Sequence, residues 1–193
     1  MSLLFYLDLS ANLLHGSLPS SLGSVVGLNF LNLSQNDFSN SIPSELGKLK
    51  SLTYVNLSDN ALQGSIPSSL GAMTSLQALD LSVNLLKGTL PTTLSALKSL
   101  SALSLQRNSL SGSLPSVLGL LSSLSSLLLM SNVFSGALPS SLCGPSRLSY
   151  LNTLSNPSLR CFPPCLSSIT QFIYGPQQFP CGDGKSLIAH YVV

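Results

Sequence analysis

The side chains that could carry out acid–base or nucleophilic chemistry are few in this sequence and widely separated. Its two histidines are His15 and His190, and neither belongs to a recognisable set of nucleophile, base and orienting acid. Asp8 and Asp80 occupy equivalent positions three repeats apart, which is about 14 Å at the usual spacing of parallel strands. Two carboxylates that cleave a glycosidic bond lie at most about 9.5 Å apart. The sequence therefore predicts that the chain is not an enzyme.

A short segment near the end of the chain, Asp183-Gly184-Lys185-Ser186, has some features of a phosphate-binding loop. The first glycine of that motif would fall at position 179, where the sequence has Phe179. No pattern of a strand followed by a helix surrounds the segment. We therefore expect no nucleotide site, no metal site and no cofactor.

All four cysteines lie in the last third of the chain, at Cys143, Cys161, Cys165 and Cys181. An even number confined to one region favours two disulfides and an oxidising compartment, although four cysteines allow three connectivities. Cys165 lies two residues short of one full repeat after Cys143, so the two fall nearly side by side on neighbouring repeats. We therefore favour Cys143–Cys165 with Cys161–Cys181. The alternatives are a zinc site and free buried thiols.

These residues belong to a chain that repeats itself with a constant step of 24 residues. Asparagine recurs at that step seven times, at Asn12, Asn36, Asn60, Asn84, Asn108, Asn132 and Asn156. Proline follows a second ladder with the same step, at Pro19, Pro43, Pro67, Pro91, Pro115, Pro139 and Pro163. A fixed step of this size is typical of a solenoid, in which each repeat forms one coil that cannot bury its apolar face alone.

Each coil has parts with distinct physical requirements. The alternation at its start predicts a short strand, and its later leucines are expected to turn inward from the other sides. The asparagine is expected to bond backbone groups of its own coil and of the next coil. A recurring glycine, replaced once by Asn40, predicts a backbone conformation that a side chain would hinder. The Ser or Thr after each proline is expected to cap a short helical turn, at Ser20, Ser44, Ser68, Thr92, Ser116 and Ser140.

The consensus L-x-x-L-x-L-x-x-N-x-L-x-G-x-[IL]-P resembles the leucine-rich repeat, and its L-x-G-x-[IL]-P segment resembles the plant-specific type, over about residues 4–165. The resemblance implies a right-handed curved solenoid of strands and 3-10 turns, with a parallel sheet on the concave face. Similar proteins include ectodomains of receptor-like kinases and inhibitors of polygalacturonase. We predict about seven coils in residues 1–165, a cysteine-containing cap in residues 143–181 and a tail of unknown structure in residues 182–193.

The chain starts inside its first coil, without the N-terminal cap that the family usually has. We therefore expect part of a longer protein or an incomplete gene model. The alternative is a bare first coil that pairs with another chain.

Composition restricts the partners of this chain. Charged residues make up 7% of the sequence and the net charge is +2, with Lys and Arg scattered, so nothing indicates a nucleic-acid surface. No apolar run approaches the roughly 20 residues that a membrane span needs. The cap cysteines and the family resemblance together imply an extracellular or cell-surface location.

Residues that flank the inward positions of each strand are expected to face the concave surface. They include an aromatic set, Tyr6, Phe30 and Tyr54, on which a sugar ring could stack, or whose rings could pack on one another. The later coils depart from the consensus together, and their departures, with Tyr150, are predicted to contact a ligand: Gln106, Arg107, Leu128, Met130 and Leu154. The alternative is that these side chains are buried against the chain after residue 166.

Asn32 and Asn56 each begin an N-x-S sequence, the acceptor pattern for glycosylation. The repeat itself generates N-L-S, so accidental matches are expected. Glycans at both positions would obstruct the early concave face and shift the expected ligand toward residues 106–154.

We therefore predict a recognition module that binds a protein, a peptide or a cell-wall saccharide on its concave face. It would form part of a receptor-like or secreted defence protein. One alternative is inhibition of a secreted glycosidase such as polygalacturonase. Another is a structural role at a surface such as ice, for which the Ser and Thr residues after the prolines would form the regular face.

Overall fold

Each coil of the chain begins with a three-residue strand, and these strands lie side by side in register. The computed structural model describes residues 4–145 and 147–181, and within them eight parallel strands form one sheet, here named the concave sheet. The register pairs a residue with the one 24 positions later, as in Leu7 with Leu31 and Leu31 with Val55. In order, the strands are Tyr6–Asp8, Phe30–Asn32, Tyr54–Asn56, Ala78–Asp80, Ala102–Ser104, Ser126–Leu128, Tyr150–Asn152 and Gln171–Ile173.

A second parallel sheet forms on another side of the coils, after the asparagine. In the described part of the chain it has seven strands, His15–Ser17, Asp37–Ser41, Ala61–Gly64, Leu85–Gly88, Ser109–Ser113, Val133–Gly136 and Ser158–Leu159. The recurring glycine ends or interrupts these strands with a left-handed conformation. Gly64 has φ +78°, and Asn40 takes the same place in the second coil with φ 64°, as the sequence predicts.

Short 3-10 helices complete the coils. In the residues described they are Ser20–Ser24, Ser44–Lys48, Ser68–Ala72, Thr92–Ala96, Ser116–Leu120, Ser140–Cys143 and Pro164–Ser168. Each follows a proline whose ring fixes φ, as at Pro67 with φ −63°. The prediction that the next Ser or Thr caps the helix is wrong, because the proline itself occupies the cap position and no side-chain cap bond forms. The hydroxyl one residue later bonds the preceding coil instead, as Thr93 Oγ1 does to the Ser68 carbonyl at 2.6 Å.

The core is a continuous stack of leucines, because each coil covers the apolar side of its neighbour. Leu76, Leu81 and Leu100 are fully buried. Burial of one such side chain contributes about 1.5–3 kcal/mol relative to exposure. In the first coil Leu13 stays 85% exposed, since the described residues cover that coil from one side only.

The asparagine ladder joins successive coils. Asn36 Nδ2 donates to the Leu9 carbonyl of the preceding coil at 2.9 Å and to carbonyls of its own coil, and its Oδ1 accepts from the Leu14 N–H at 2.9 Å. The expectation that it bonds the next coil is therefore wrong, because the side chain leaves the bend toward the preceding coil, where it meets the Leu14 N–H and the Leu9 carbonyl. The same arrangement recurs at Asn60, Asn84, Asn108, Asn132 and Asn156.

The described residues after 166, which end at residue 181, add a further strand to the solenoid. Gln171–Ile173 pairs with Tyr150–Asn152 as the eighth strand of the concave sheet. Thr153, which stands where an inward leucine is expected, is fully buried and donates its hydroxyl to Gln178 Oε1 at 2.7 Å. Gln178 Nε2 donates back to the Thr153 carbonyl at 3.2 Å. Threonine in place of leucine at position 153 therefore makes a polar contact that holds the segment around Gln178.

Two disulfides lie in this terminal region. They join Cys143 to Cys165 and Cys161 to Cys181, the connectivity that the repeat spacing favours, with Cα separations of 5.9 and 5.1 Å. A two-stranded parallel pair, Cys161–Phe162 with Phe179–Pro180, lies beside the second bond. Among the residues that the structure describes, no cysteine is free and no helix is long and apolar enough to cross a bilayer. The tail 182–193, with its DGKS segment and His190, lies outside them.

Candidate functional site

The concave sheet presents two outward columns, one on each side of its inward row. The register places Tyr6, Phe30, Tyr54, Ala78, Ala102, Ser126, Tyr150 and Gln171 in the first column. The second column contains Asp8, Asn32, Asn56, Asp80, Ser104, Leu128, Asn152 and Ile173. Side chains of one column lie about 4.8 Å apart, so equivalent groups on adjacent coils touch.

The three aromatic residues of the first column form a continuous stack. The rings of Tyr6 and Phe30 lie 4.3 Å apart between centroids with an interplanar angle of 7°, and those of Phe30 and Tyr54 lie 4.5 Å apart at 3°. The rings therefore pack on one another, and a sugar cannot stack on the ring faces that this packing covers. On the side of the later coils the stack ends at Tyr54, whose face away from Phe30 is not covered by a further ring of the column.

A small pocket begins at that ring. It has a volume of about 230 Å³ and extends over the strands of the next three coils. Its lining is Tyr54, Ala78, Leu79, Asp80, Ala102, Leu103, Ser104, Ser126 and Leu128. Sites for drug-sized ligands usually measure about 300–1,000 Å³, so this pocket suits a single ring or side chain.

Two polar groups line the pocket. Ser104 is 9% exposed, and its Oγ has no hydrogen-bond partner within the described residues. Asp80 Oδ1 accepts the Ser82 N–H at 2.8 Å. Ala78, Ala102 and Ser104 are not among the residues predicted from the sequence to bind a ligand, because small side chains at these positions match no binding motif. The available signal was the abrupt change from aromatic to small residues along one column.

The predicted ligand-contacting residues of the later coils lie on adjacent coils. The Arg107 N–H donates to the Met130 carbonyl at 2.8 Å, and the Ser131 N–H donates to the Leu154 carbonyl at 2.9 Å. Arg107 is exposed and has φ 55°, whereas Met130 and Leu154 are half-buried. Gln106, Leu128 and Tyr150 are also half-buried. The half-buried side chains therefore expose only part of their surface to a partner.

The early coils carry a polar network on the same face. The Ser10 hydroxyl donates to Asp8 Oδ1 at 2.6 Å, and the Ser10 N–H donates to the same oxygen at 2.9 Å. These two bonds lower the pKa of the Asp8 carboxyl, and the bond from the hydroxyl has the larger effect. Asn32 Nδ2, the atom to which a glycan would attach, donates to Asp8 Oδ2 at 3.2 Å. Asn56 Oδ1 accepts the Ser58 N–H at 2.9 Å. Glycosylation at Asn32 and Asn56 stays a prediction.

The groups considered for catalysis stay apart. Asp8 and Asp80 lie on strands separated by two others in the concave sheet, and His15 is exposed on the second sheet. Within residues 4–145 and 147–181, no three His, Cys, Asp or Glu side chains are grouped as metal ligands would be.

Comparison with known proteins links this architecture to one family. The leucine-rich repeat model matches residues 3–25, 27–49, 51–73, 75–97 and 99–121, more than half of the chain. No curated protein matches the sequence.

Several solved structures are similar. One is the ectodomain of the Arabidopsis receptor kinase HAESA with an N-terminally extended IDA peptide hormone, at 36% identity and TM-score 0.87, covering 98% of this chain and 32% of that one. A second is the ectodomain of the receptor kinase GASSHO1/SCHENGEN3 of Arabidopsis thaliana with CASPARIAN STRIP INTEGRITY FACTOR 2, at 31% and 0.81, covering 96% and 26%. A third is a leucine-rich repeat protein of Leptospira interrogans, at 30% and 0.76, covering 92% and 44%. The chain thus spans less than half of each.

Proposed function

The chain belongs to the leucine-rich repeat family, and we propose that it is a recognition module that binds a peptide, or an extended segment of a protein, along its concave face. The observation that carries the proposal is the change of surface along the concave sheet. The early coils carry an aromatic stack in the first column and polar groups in the second, and a small pocket followed by half-buried apolar side chains occupies the later coils. Aromatic and apolar side chains beside polar groups are typical of an interface.

The arrangement of these features favours an extended ligand. From the pocket above Ala78 to Leu154 the surface crosses several strands, each about 4.8 Å from the next. An extended peptide advances about 3.3 Å per residue, so a segment of about four or five residues covers the three strand spacings from Ala78 to the coil of Leu154. The similar ectodomain of HAESA was solved with a peptide hormone ligand, which supports a peptide over a compact saccharide.

The exposed Arg107 gives this surface a charge. Its backbone N–H donates to the Met130 carbonyl, so Arg107 lies on the coil next to Met130, and its side chain is exposed. A guanidinium recognises carboxylates in a bidentate manner. We therefore expect the ligand to carry a carboxylate, from an acidic side chain or a chain terminus, next to an apolar residue.

The two disulfides support a location outside the cell, because such bonds persist in oxidising compartments. Participation in a receptor or in defence stays a prediction, and binding of a cell-wall saccharide is an alternative to the peptide proposed here. The alternatives of glycosidase inhibition and of ice binding stay predictions. For ice binding, an ice-recrystallisation assay is the direct check.

The proposal is tested with a pair of matched variants. Peptides of about 12 residues are selected by display on the immobilised protein, and their affinity for Met130→Asp and Val133→Asp is measured by calorimetry. Both substitutions put a carboxylate on the sixth coil, but Val133 is 49% exposed on the second sheet. We expect Met130→Asp to weaken binding about tenfold or more, as the loss of an interface anchor does, and Val133→Asp to leave it within about twofold.

Equal effects of the two variants would contradict binding on the concave face. Retention of full affinity by Met130→Asp and by Leu128→Asp would show that the apolar patch takes no part. Circular dichroism of each variant checks that the solenoid is intact.

A further inference from the structure

We infer that the pocket bounded by Tyr54 and Leu128 is the anchor site for one aromatic side chain of the ligand, a tyrosine or tryptophan whose O–H or N–H reaches Ser104. The inference deepens the proposed function and rests on it, since it names the residue type that the concave face selects. It is carried by three features of the pocket: an uncovered ring face, a floor of small side chains, and a buried hydroxyl without a partner among the described residues.

The uncovered face belongs to Tyr54. Phe30 stacks on its other face at 4.5 Å with nearly parallel rings, so the plane of Tyr54 stands across the direction from strand to strand. The next residue in that direction is Ala78, whose methyl group cannot cover a ring. A ligand ring placed above Ala78 would therefore continue the stack as its fourth member.

The floor of the pocket makes room for such a ring. Ala78, Ala102 and Ser126 follow one another in register on three coils, and Leu128 rises at the far side. The volume of about 230 Å³ holds one ring but not a chain of sugars. The inward leucines Leu79 and Leu103 add apolar surface at its base. Aromatic pairs contribute beyond the area that they bury, which favours a ring over an aliphatic side chain.

The polar requirement comes from Ser104. The residue is 9% exposed and its Oγ is buried, and a buried hydroxyl normally has a partner because burial without one is costly. The neighbouring Asp80 adds a carboxylate whose Oδ1 is bonded to Ser82. An acceptor pair at the edge of an apolar pocket selects a ring with a hydrogen-bond donor, as tyrosine and tryptophan have and phenylalanine lacks.

The inference is tested with N-acetyltyrosinamide, N-acetyltryptophanamide and N-acetylphenylalaninamide as probes. Each is titrated into the labelled protein, and binding is followed by the NMR shifts of the methyl groups of Ala78, Ala102 and Leu128. We expect saturable shifts at these positions, with millimolar affinities, and tighter binding of the tyrosine and tryptophan amides than of the phenylalanine amide by about three- to tenfold.

Two substitutions isolate the cause. Ala78→Phe places a ring where the ligand ring would lie, and since Phe30 already occupies the equivalent position the fold will tolerate it. We expect it to abolish binding of all three probes. Ser104→Ala should remove the preference for the tyrosine and tryptophan amides but leave the phenylalanine amide bound as before. Gln63→Ala, at an exposed position on the second sheet, is the control and should change nothing.

Three outcomes overturn the inference. The first is the absence of shifts at the pocket with any probe. The second is saturable binding of glucose or galacturonic acid there in place of the aromatic amides, which would assign the pocket to a saccharide. The third is retention of probe binding by Ala78→Phe. Failure here is distinct from failure of the proposed function, because a selected peptide that binds wild type and Ala78→Phe equally, yet loses affinity for Met130→Asp, would leave concave-face recognition standing without this pocket.

Discussion

The asparagine ladder allows a direct test of what holds neighbouring coils together. Asn84 is 6% exposed, and its Nδ2 donates to the carbonyls of Leu57, Leu81 and Ser82 at 2.9, 3.2 and 3.1 Å. Its Oδ1 accepts the Leu62 N–H at 2.9 Å. Asn84→Ala leaves the Leu62 N–H of the preceding coil without this bond, whereas the Leu57 carbonyl keeps its bond from Asn60 Nδ2. At about 1–3 kcal/mol for one buried group, we expect a loss of about 1–3 kcal/mol in the free energy of unfolding.

Asn12 is the matched control for this substitution. It occupies the equivalent place in the first coil, is exposed, and bonds only the carbonyls of Leu9 and Ser10 in its own coil. After Asn12→Ala the Leu9 carbonyl keeps its bond from Asn36, and the Ser10 carbonyl can turn to water. We therefore expect a loss of only about 0.5–1 kcal/mol.

The measurement is equilibrium unfolding in urea followed by circular dichroism, with hydrogen exchange as a local probe. In Asn84→Ala the Leu62 amide should lose protection, whereas the Leu14 amide, which donates to Asn36, should keep it. Asn84→Asp should cost more than Asn84→Ala at pH 7, because a carboxylate would face three carbonyl oxygens. Equal unfolding free energies for Asn84→Ala and Asn12→Ala would refute the view that bonds between coils, rather than bonds within a coil, give the ladder its stabilising effect.

Three further predictions concern single residues. Val83 is held at φ 53°, a conformation unfavourable for a β-branched residue, so Val83→Asn should raise the melting temperature by about 2 °C or more; an unchanged or lower value would argue against strain. Gly64→Val should lower the free energy of unfolding, measured by chemical denaturation, by about 1–2 kcal/mol. Gly64→Asn should lower it much less, because Asn40 already adopts this conformation, and equal losses for the two variants would contradict this explanation. Thr153→Leu restores the consensus but removes the hydroxyl that donates to the buried Gln178 Oε1, while Gln178 Nε2 keeps the backbone carbonyl of residue 153. It should therefore lower the free energy of unfolding in urea by about 1–3 kcal/mol, and a stabilised variant would contradict a stabilising role for that hydroxyl.

Much of the fold is predictable from the sequence because a repeat of constant length imposes a constant register. Since every coil has 24 residues before the terminal region, equivalent residues must lie side by side, and the columns of the concave sheet follow by counting. The same counting places Cys165 near Cys143. It fails after residue 166, where the step changes, and the strand Gln171–Ile173 could not be assigned from periodicity.

The candidate site is less accessible to such reasoning. Counting identified the column that holds Tyr54, Ala78 and Ala102. The pocket forms there because the side chains after Tyr54 are small, and no sequence motif marks small side chains as a binding site. The orphan hydroxyl of Ser104 is visible only when all of its neighbours are known. The direction of the asparagine bonds is a similar case. The sequence of one coil does not show whether the preceding or the following coil presents a backbone N–H and a carbonyl to the asparagine side chain.

The amino-acid sequence by itself determined the family, the coil, the order of the strands and which residues share a face, because these depend on spacing along the chain. The tertiary structure alone decided which coil each polar side chain bonds, how Thr153 and Gln178 bond each other in the terminal region, and where the concave face is open. Those properties depend on distances between atoms of different coils, and a difference of a few ångströms there separates a satisfied group from an unsatisfied one.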